Sequence, residues 1–249
     1  YTFISYIFLF IFKKKIYIYF RSNGYEEYKA IFGFWGPLFY HFMFTIVTLR
    51  SNIISCQKKL IKKKECDLVA PSQLDDEWLK SITKPPLEKP RLLYVGRIKV
   101  EKGIFSLLKI FEDFKSSIEL SIVGNSDEIK EKISGLNINL LGHGFDTKQL
   151  IDIYDKHNIF ILPSFTEAHP QVIDESLARG RPIIIFEDIK HVIQNRIGIF
   201  VVKRNAESLN NTINFIIKNY LSIQEKMLRN KLPTKQQFIL QITKILNKN

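Results

Sequence analysis

From Arg91 onward, short unbroken apolar runs alternate with longer segments whose apolar residues recur at helical spacing. Leu92–Val95, Ile118–Val123, Ile138–Leu141, Ile159–Leu162, Pro182–Phe186 and Ile199–Val202 are short stretches dominated by Leu, Ile, Val and Phe, and most end at Gly or Pro. Between them, Lys102–Phe114 places Ile104, Leu107, Leu108 and Phe111 on one helical face. Asp127–Ser134, Asp146–His157 and Pro170–Arg179 read as further helices, as does Ala206 to about Arg229, and Lys235–Leu246 closes the chain. Strands that do not alternate apolar with polar residues are buried on both faces. The pattern therefore predicts an α/β fold: a parallel sheet covered by helices. In such sheets ligands bind beyond the carboxyl ends of the strands, so the loops opening at Gly96, Gly124, Gly142 and Pro163 hold the candidate chemistry.

Ahead of this region the rhythm is less complete. Ile16–Phe20 reads as a strand followed by the loop Arg21–Gly24, and Asp67–Ala70 as another. The prolines at 85, 86 and 90 make a linker of residues 85–90, within the looser stretch Ile82–Pro90. The expected organisation is a partial N-terminal domain over 1–84, a main domain over 91–233, and a terminal helix over 234–249 that packs back on the N-terminal part. The chain opens at Tyr1 inside an apolar run that lasts to Phe12. We expect a chain truncated at its start. A signal peptide is the alternative, but no basic region precedes the run and no small-residue cleavage site follows it.

Charge alters the picture of the N-terminal quarter. The formal net charge is +12, and residues 1–64 carry eleven basic and two acidic side chains. The cations cluster at Lys13-Lys14-Lys15, Lys58-Lys59 and Lys62-Lys63-Lys64, beside aromatic-rich apolar segments. An anionic membrane surface suits that combination, and so does a plain solvated basic face. Ala30–Leu49 is uncharged and flanked by Lys29 and Arg50, long enough to span a bilayer. Gly33, Gly36-Pro37 and His41 interrupt it, however. The reading favoured here is a helix from about Pro37 that buries one face in the protein or in a lipid interface. Two cysteines, Cys56 and Cys66, are too few for a disulfide scaffold and read as incidental thiols. No helix-turn-helix, zinc or single-strand-binding signature accompanies the basic charge, so a nucleic-acid partner is not expected.

Two loops carry candidate chemistry. Gly96-Arg97 leaves one strand, and Lys102-Gly103 opens the next helix. A guanidinium fork, a point charge and free backbone N–H groups suit a diphosphate, although two basic loop residues are also an ordinary solvated pair. Later, Pro163-Ser164-Phe165-Thr166-Glu167-Ala168-His169-Pro170 leads into a helix that carries Glu175. The two carboxylates can flank one cleft, with the N–H groups around Ala168, Gln171 and Val172 facing a phosphate. Asp75-Asp76-Glu77 reads as a helix start.

Together, Gly96-Arg97…Lys102-Gly103, Gly124, Gly142 and the run Phe160–Ile184 (FILPSFTEAHPQVIDESLARGRPII) resemble the nucleotide-sugar half of group 1 (family 4) glycosyltransferases. The resemblance implies a GT-B fold: a Rossmann-like nucleotide-sugar-binding domain plus an incomplete N-terminal Rossmann-like half. It implies sugar transfer from a nucleoside-diphosphate sugar, with retention of configuration, to a glycan or lipid-linked acceptor. It assigns Arg97, Lys102 and Glu167 as catalytic: the first two hold the donor diphosphate and Glu167 contacts the sugar. Glu175 would bind the ribose hydroxyls. Gly96, Gly142, Ser164, Ala168, His169, Pro170, Gln171 and Val172 would complete the donor site. No metal or other cofactor is expected, and front-face attack is assisted by the departing phosphate.

The sequence departs from the family pattern in lacking glycine at Ala168 and His169, so His169 either contacts the donor or caps the helix. His41 is a poor substitute for the histidine a full N-terminal half would supply. The alternative is a nucleotide-sugar-binding domain that is catalytically incomplete. Tyr17–His41 (YIYFRSNGYEEYKAIFGFWGPLFYH) also resembles the acceptor domain of bacterial envelope polysaccharide and lipopolysaccharide enzymes. That resemblance implies a cytoplasmic protein, peripheral on the inner face of the membrane.

Overall fold

The computed structural model describes residues 2–61, 65–114, 118–125 and 127–248. Among these the chain runs α1 (Thr2–Ile11), β1 (Tyr17–Phe20), α2 (Gly24–Phe32), α3 (Gly36–Thr48), β2 (Asn52–Ser55), β3 (Asp67–Leu68) and the single turn α4 (Asp76–Leu79). It continues with β4 (Arg91–Val95), α5 (Ile104–Phe111), β5 (Glu119–Val123), α6 (Asp127–Lys132), β6 (Ile138–Gly142), α7 (Thr147–Asp155) and β7 (Ile159–Leu162). It ends with α8 (Gln171–Ala178), β8 (Ile183–Phe186), β9 (Ile199–Val202), α9 (Ala206–Lys218), α10 (Tyr220–Met227) and α11 (Lys235–Leu246). Two compact units result: one up to Pro71 together with the chain from Lys235, the other Ser72–Thr234.

The larger unit is a six-stranded sheet in the order β6-β5-β4-β7-β8-β9, with every neighbouring pair parallel. Numbered within the unit, this is the doubly wound order 3-2-1-4-5-6. The central strands are dry, as their unbroken apolar runs require. Leu92, Leu93 and Tyr94 of β4, Ile159–Ile161 of β7 and all of β8 are buried. The buried face of α5 carries Ile104, Leu107, Leu108 and Phe111 as expected, with Ile110 beside them. Asp146 caps α7 in a reciprocal capping box with Gln149.

The boundary between units falls ahead of the proline-rich stretch. Residues 72–84 belong to the larger unit because its core takes Leu74 and Trp78. Arg179 and Arg181, each about 1% exposed, bind the strap that follows. Arg179 donates to the carbonyls of Trp78, Lys80 and Ser81, and Arg181 to the carbonyl of Thr83. Both guanidiniums are paired with Asp155, whose single carboxylate offsets one of the two buried charges, while the backbone carbonyls satisfy the remaining donors. Asn158 pins the 85–90 segment, donating to the carbonyls of Pro86 and Lys89 and accepting from the Arg91 N–H.

Several elements differ from the sequence expectation for local reasons. Lys102 does not open a helix: Val100–Lys102 is a 3-10 turn, Gly103 turns left-handed at φ 68°, and α5 starts at Ile104. Pro170 lies just outside α8, at its N-cap, rather than within the helix. The expected helix from Ala206 breaks at Asn219 into α9 and α10. Gly142 ends inside β6, and Glu187–Ile193 forms 3-10 turns that the apolar pattern does not announce.

The smaller unit holds a three-stranded parallel sheet, β1-β2-β3. β2 is too short to stand out in sequence, and β3 is shorter than Asp67–Ala70. Tyr1–Phe12 contains helix α1, and the Ala30–Leu49 run is divided at Gly33, whose φ is 60°. Helix α3 starts beside Pro37 and buries Phe44, Val47 and Thr48 on one face. No helix among the described residues is long and apolar enough to cross a membrane. Helix α11 belongs to this unit, with Ile245 in one cluster with Ile54 and Val69, and Gln241 accepting from the Ala70 N–H at 3.0 Å. The basic cluster at residues 62–64 lies outside the described residues.

Candidate active site

The strand order reverses between β4 and β7, which both sit at the middle of the sheet. A crevice opens at such a switch point, outside the carboxyl ends of the two strands. The loops leaving those ends are 96–103 and 163–170, the two that carry the candidate residues.

These loops are stitched together by the backbone. The Phe165 N–H donates to the Glu101 carbonyl at 3.0 Å. Gly103 approaches Pro163 so closely that a Cβ on it would stand 1.9 Å from the Pro163 carbonyl oxygen. With φ at 68° as well, no other residue fits there without strain. The contact carries Lys102 to Glu167: Lys102 Nζ lies 2.6 Å from Glu167 Oε1. Fully buried Ser164 donates its hydroxyl to the same oxygen at 2.8 Å. The lysine and glutamate side chains are only 20% and 11% exposed, so the pair is partly desolvated and stronger than a surface ion pair. His191 Nε2 donates to the Glu167 carbonyl at 2.7 Å, which fixes the backbone behind the carboxylate.

Gly96 ends β4 with its N–H on the Val123 carbonyl. A Cβ there would be 2.9 Å from the Tyr94 hydroxyl, which itself donates to the Arg97 carbonyl at 2.8 Å. Burial pushes the Tyr94 phenol well up, keeping it a neutral donor. The Arg97 side chain is exposed, and its guanidinium takes no ion-pair partner among the described residues. The structure thus brings Lys102, Ser164 and Glu167 into one hydrogen-bonded group and leaves Arg97 beside it as a free cation. Gly142 lies on the edge strand β6, held by its carbonyl accepting from the Gly124 N–H at 2.7 Å.

Pro170 is buried, and Gln171 and Val172 form the first turn of α8, where backbone N–H groups have no partner within the helix. One turn on, Glu175 is partly buried. Tyr154, fully buried on α7, donates to its Oε2 at 3.0 Å, and Oε1 receives no hydrogen bond among the described residues. Desolvation pushes the Glu175 carboxyl up to about 7, reinforced by neighbouring Asp174 and opposed by the Tyr154 hydrogen bond. A carboxyl that titrates at neutrality in a cleft is a common mark of a functional site.

Sequence reasoning missed the surrounding supports. His169 does not stand alone: its Nε2 lies 3.4 Å from Asp174 Oδ2, and Asp174 pairs through Oδ1 with Arg196. Asp174 is 2% exposed, so its charge depends on these partners. Neither His191 nor Arg196 sits in any local pattern; both arrive on the irregular turns after β8. His41, in the smaller unit, is exposed and hydrogen-bonded to the Tyr25 hydroxyl. Burial raises the thiols of Cys56 and Cys66, which keeps them protonated and poor nucleophiles.

Fold and site together define a doubly wound α/β protein with a cationic, carboxylate-lined crevice at its switch point. The chain belongs to the glycosyl transferases group 1 family, whose sequence profile matches residues 75–234. An uncharacterized glycosyltransferase of Haemophilus influenzae is 27% identical over 158 residues, covering 56% of this chain and 44% of that protein. The N,N'-diacetylbacillosaminyl-diphospho-undecaprenol alpha-1,3-N-acetylgalactosaminyltransferase of Campylobacter jejuni is 24% identical, over 53% of this chain and 36% of its own. The chain therefore spans less than half the length of these relatives. Anabaena HepE, solved in complex with UDP and glucose, superposes with a TM-score of 0.76 at 11% identity, covering 99% of this chain and 75% of that one. That likeness establishes the GT-B fold.

Proposed function

We propose that the crevice between β4 and β7 binds a nucleoside-diphosphate sugar, and that the whole protein transfers its sugar, with retention, to a glycan or lipid-linked acceptor. The observation that supports this is the Lys102–Glu167 contact at 2.6 Å at the switch point, a cation of the kind that suits a diphosphate beside a carboxylate of the kind that suits sugar hydroxyls. Arg97 supplies the second cation, with its guanidinium free to fork two phosphate oxygens. The leaving diphosphate gains charge as the glycosidic bond breaks. Arg97, Lys102 and the first-turn N–H groups of α8 stabilise that charge without a metal. Glu167 accepts from sugar hydroxyls. Glu175, through its free Oε1, accepts from the ribose. The UDP and glucose bound by HepE and the lipid-diphosphate acceptor in the name of the Campylobacter enzyme support this choice of substrates.

The test is calorimetric titration with UDP, GDP, ADP and their common sugar conjugates, in the presence of a chelator. Metal-independent binding of one nucleotide supports the donor site. Absence of binding by all of them sinks it, and a chain that binds without transferring is a donor-binding part only. Retention is read from the anomeric configuration of the product.

We also propose that the smaller unit rests on an anionic membrane surface. Phe34 and Trp35 are 87% and 61% exposed, and Leu38, Phe39 and Phe42 of α3 are exposed with them, in a run flanked in sequence by Lys29 and Arg50. Large exposed aromatic patches beside cations suit a lipid interface. Flotation should be strong with anionic vesicles and weaker with neutral ones. Equal flotation would remove the electrostatic part.

A further inference from the structure

Arg204 follows β9, well outside the two loops that form the donor site, yet its guanidinium lies at their point of contact. Its Nη1 donates to the Pro163 carbonyl at 3.0 Å and would stand 3.4 Å from a Cβ on Gly103. Its Nη2 pairs with Asp188 at 2.6 Å. The guanidinium lies 4.2 Å from the ring centres of both Phe165 and Phe186. One side chain thus holds the turns after β7, β8 and β9 together, at the carbonyl against which Gly103 is packed. A planar fork between two rings has little freedom to reorient, and lysine cannot reproduce it.

We propose that Arg204 is a positioning residue for the donor site, resting on the donor reading above. It fixes the 163–167 loop against the 101–103 turn, and so sets the distance between Lys102 and Glu167. It touches neither residue and is not required to touch the substrate. Without it the Pro163 carbonyl loses its cationic partner and Phe165 loses the ion over its ring. The Phe165–Glu101 backbone bond and the Lys102–Glu167 ion pair are then left to tie the loops without it.

The experiment compares the unaltered chain with Arg204→Met and Arg204→Lys. Methionine keeps an apolar stem between the rings; lysine keeps the charge but cannot bridge Pro163 and Asp188 at once. Amide exchange is read first, and it needs no ligand. The expected result is faster exchange at Phe165 and at 101–103, larger for Met than for Lys, with β4 and β7 unchanged. Unchanged exchange at Phe165 overturns the inference, as does exchange rising evenly through the unit in both variants.

UDP, GDP and ADP are then titrated. Arg204→Met should weaken the nucleotide that binds the unaltered chain by about tenfold. Lys102→Ala should cost less affinity in the Arg204→Met background than in the unaltered chain. Additive losses overturn the positioning role, since mere loss of stability leaves the folded site's own contacts independent. If the unaltered chain binds none of the three, the donor reading falls, and the role assigned to Arg204 in it falls too. Exchange at Phe165 then still reports whether Arg204 holds the loops, so the two failures are distinguishable.

Discussion

Lys102 Nζ stands 2.6 Å from Glu167 Oε1 across 65 residues of chain, and Ser164 donates to the same oxygen. On the donor reading proposed above, Glu167 competes in the free protein for the cation assigned to the diphosphate. Replacing Glu167 by Gln should release Lys102 and tighten binding of a bare nucleoside diphosphate. The same change should erase part of the preference for the sugar conjugate over the diphosphate. Lys102→Ala should weaken both by roughly tenfold or more, the loss of one charge-assisted hydrogen bond. Calorimetry on the two variants separates these effects. Weaker diphosphate binding by Glu167→Gln would show that the pair holds the loops rather than holding back the cation.

Glu175 makes the site sensitive to pH near neutrality. Its folded-state value is raised from 4.5 to about 7, so the folded state favours the protonated form. Its burial is tolerated best below the unfolded value and costs stability progressively as pH rises from 4.5 towards 7. Stability of the unaltered chain relative to Glu175→Gln should fall over that window in chemical denaturation. Nucleotide affinity should move the other way. If Glu175 takes the ribose as proposed, its hydroxyls donate to the ionised carboxylate, so binding should strengthen as pH rises through about 7. Glu175→Gln should remove that rise while leaving the titration of the phosphate itself. Tyr154→Phe deletes a donor to the ionised form and should move the midpoint upward.

Asp174 is 2% exposed and its charge is met by Arg196, with His169 on its other side. Arg196→Met leaves a buried carboxylate short of its strongest partner. The expected loss is about 3–5 kcal/mol. Adding Asp174→Leu should restore most of it, because removing both members of a buried pair is nearly neutral. Urea unfolding of the single and double variants decides between this and independent, additive effects.

Gly103 has both a left-handed backbone and a carbonyl against its missing Cβ. Gly103→Ala should cost more than the roughly 1 kcal/mol of a left-handed alanine, because the 163–167 loop must also retreat. It should lower melting temperature and nucleotide affinity together. Gly142→Ala meets open space at its Cβ, so only the backbone strain should remain.

Much of this protein was legible in its local pattern. The apolar runs of the central strands β4, β7 and β8 read as buried parallel strands because both faces are covered, and Asp75-Asp76-Glu77 read as a helix start because capping is local. The loops carrying Arg97, Lys102 and Glu167 followed from strand ends, and Glu175 from the helix that follows the second of them. What the sequence could not show arises from contacts between distant segments. The break at Asn219, the strap held by Arg179 and Arg181, and the unit boundary at Pro71 depend on what packs where. So do the roles of Tyr154, Arg196 and Arg204, each of which sits outside any motif. Spacing along the chain determined which residue types would reach the crevice. The sheet order, which sets β4 beside β7, decided that Lys102 and Glu167 would meet, because a hydrogen bond depends on distance in space and not on separation in sequence.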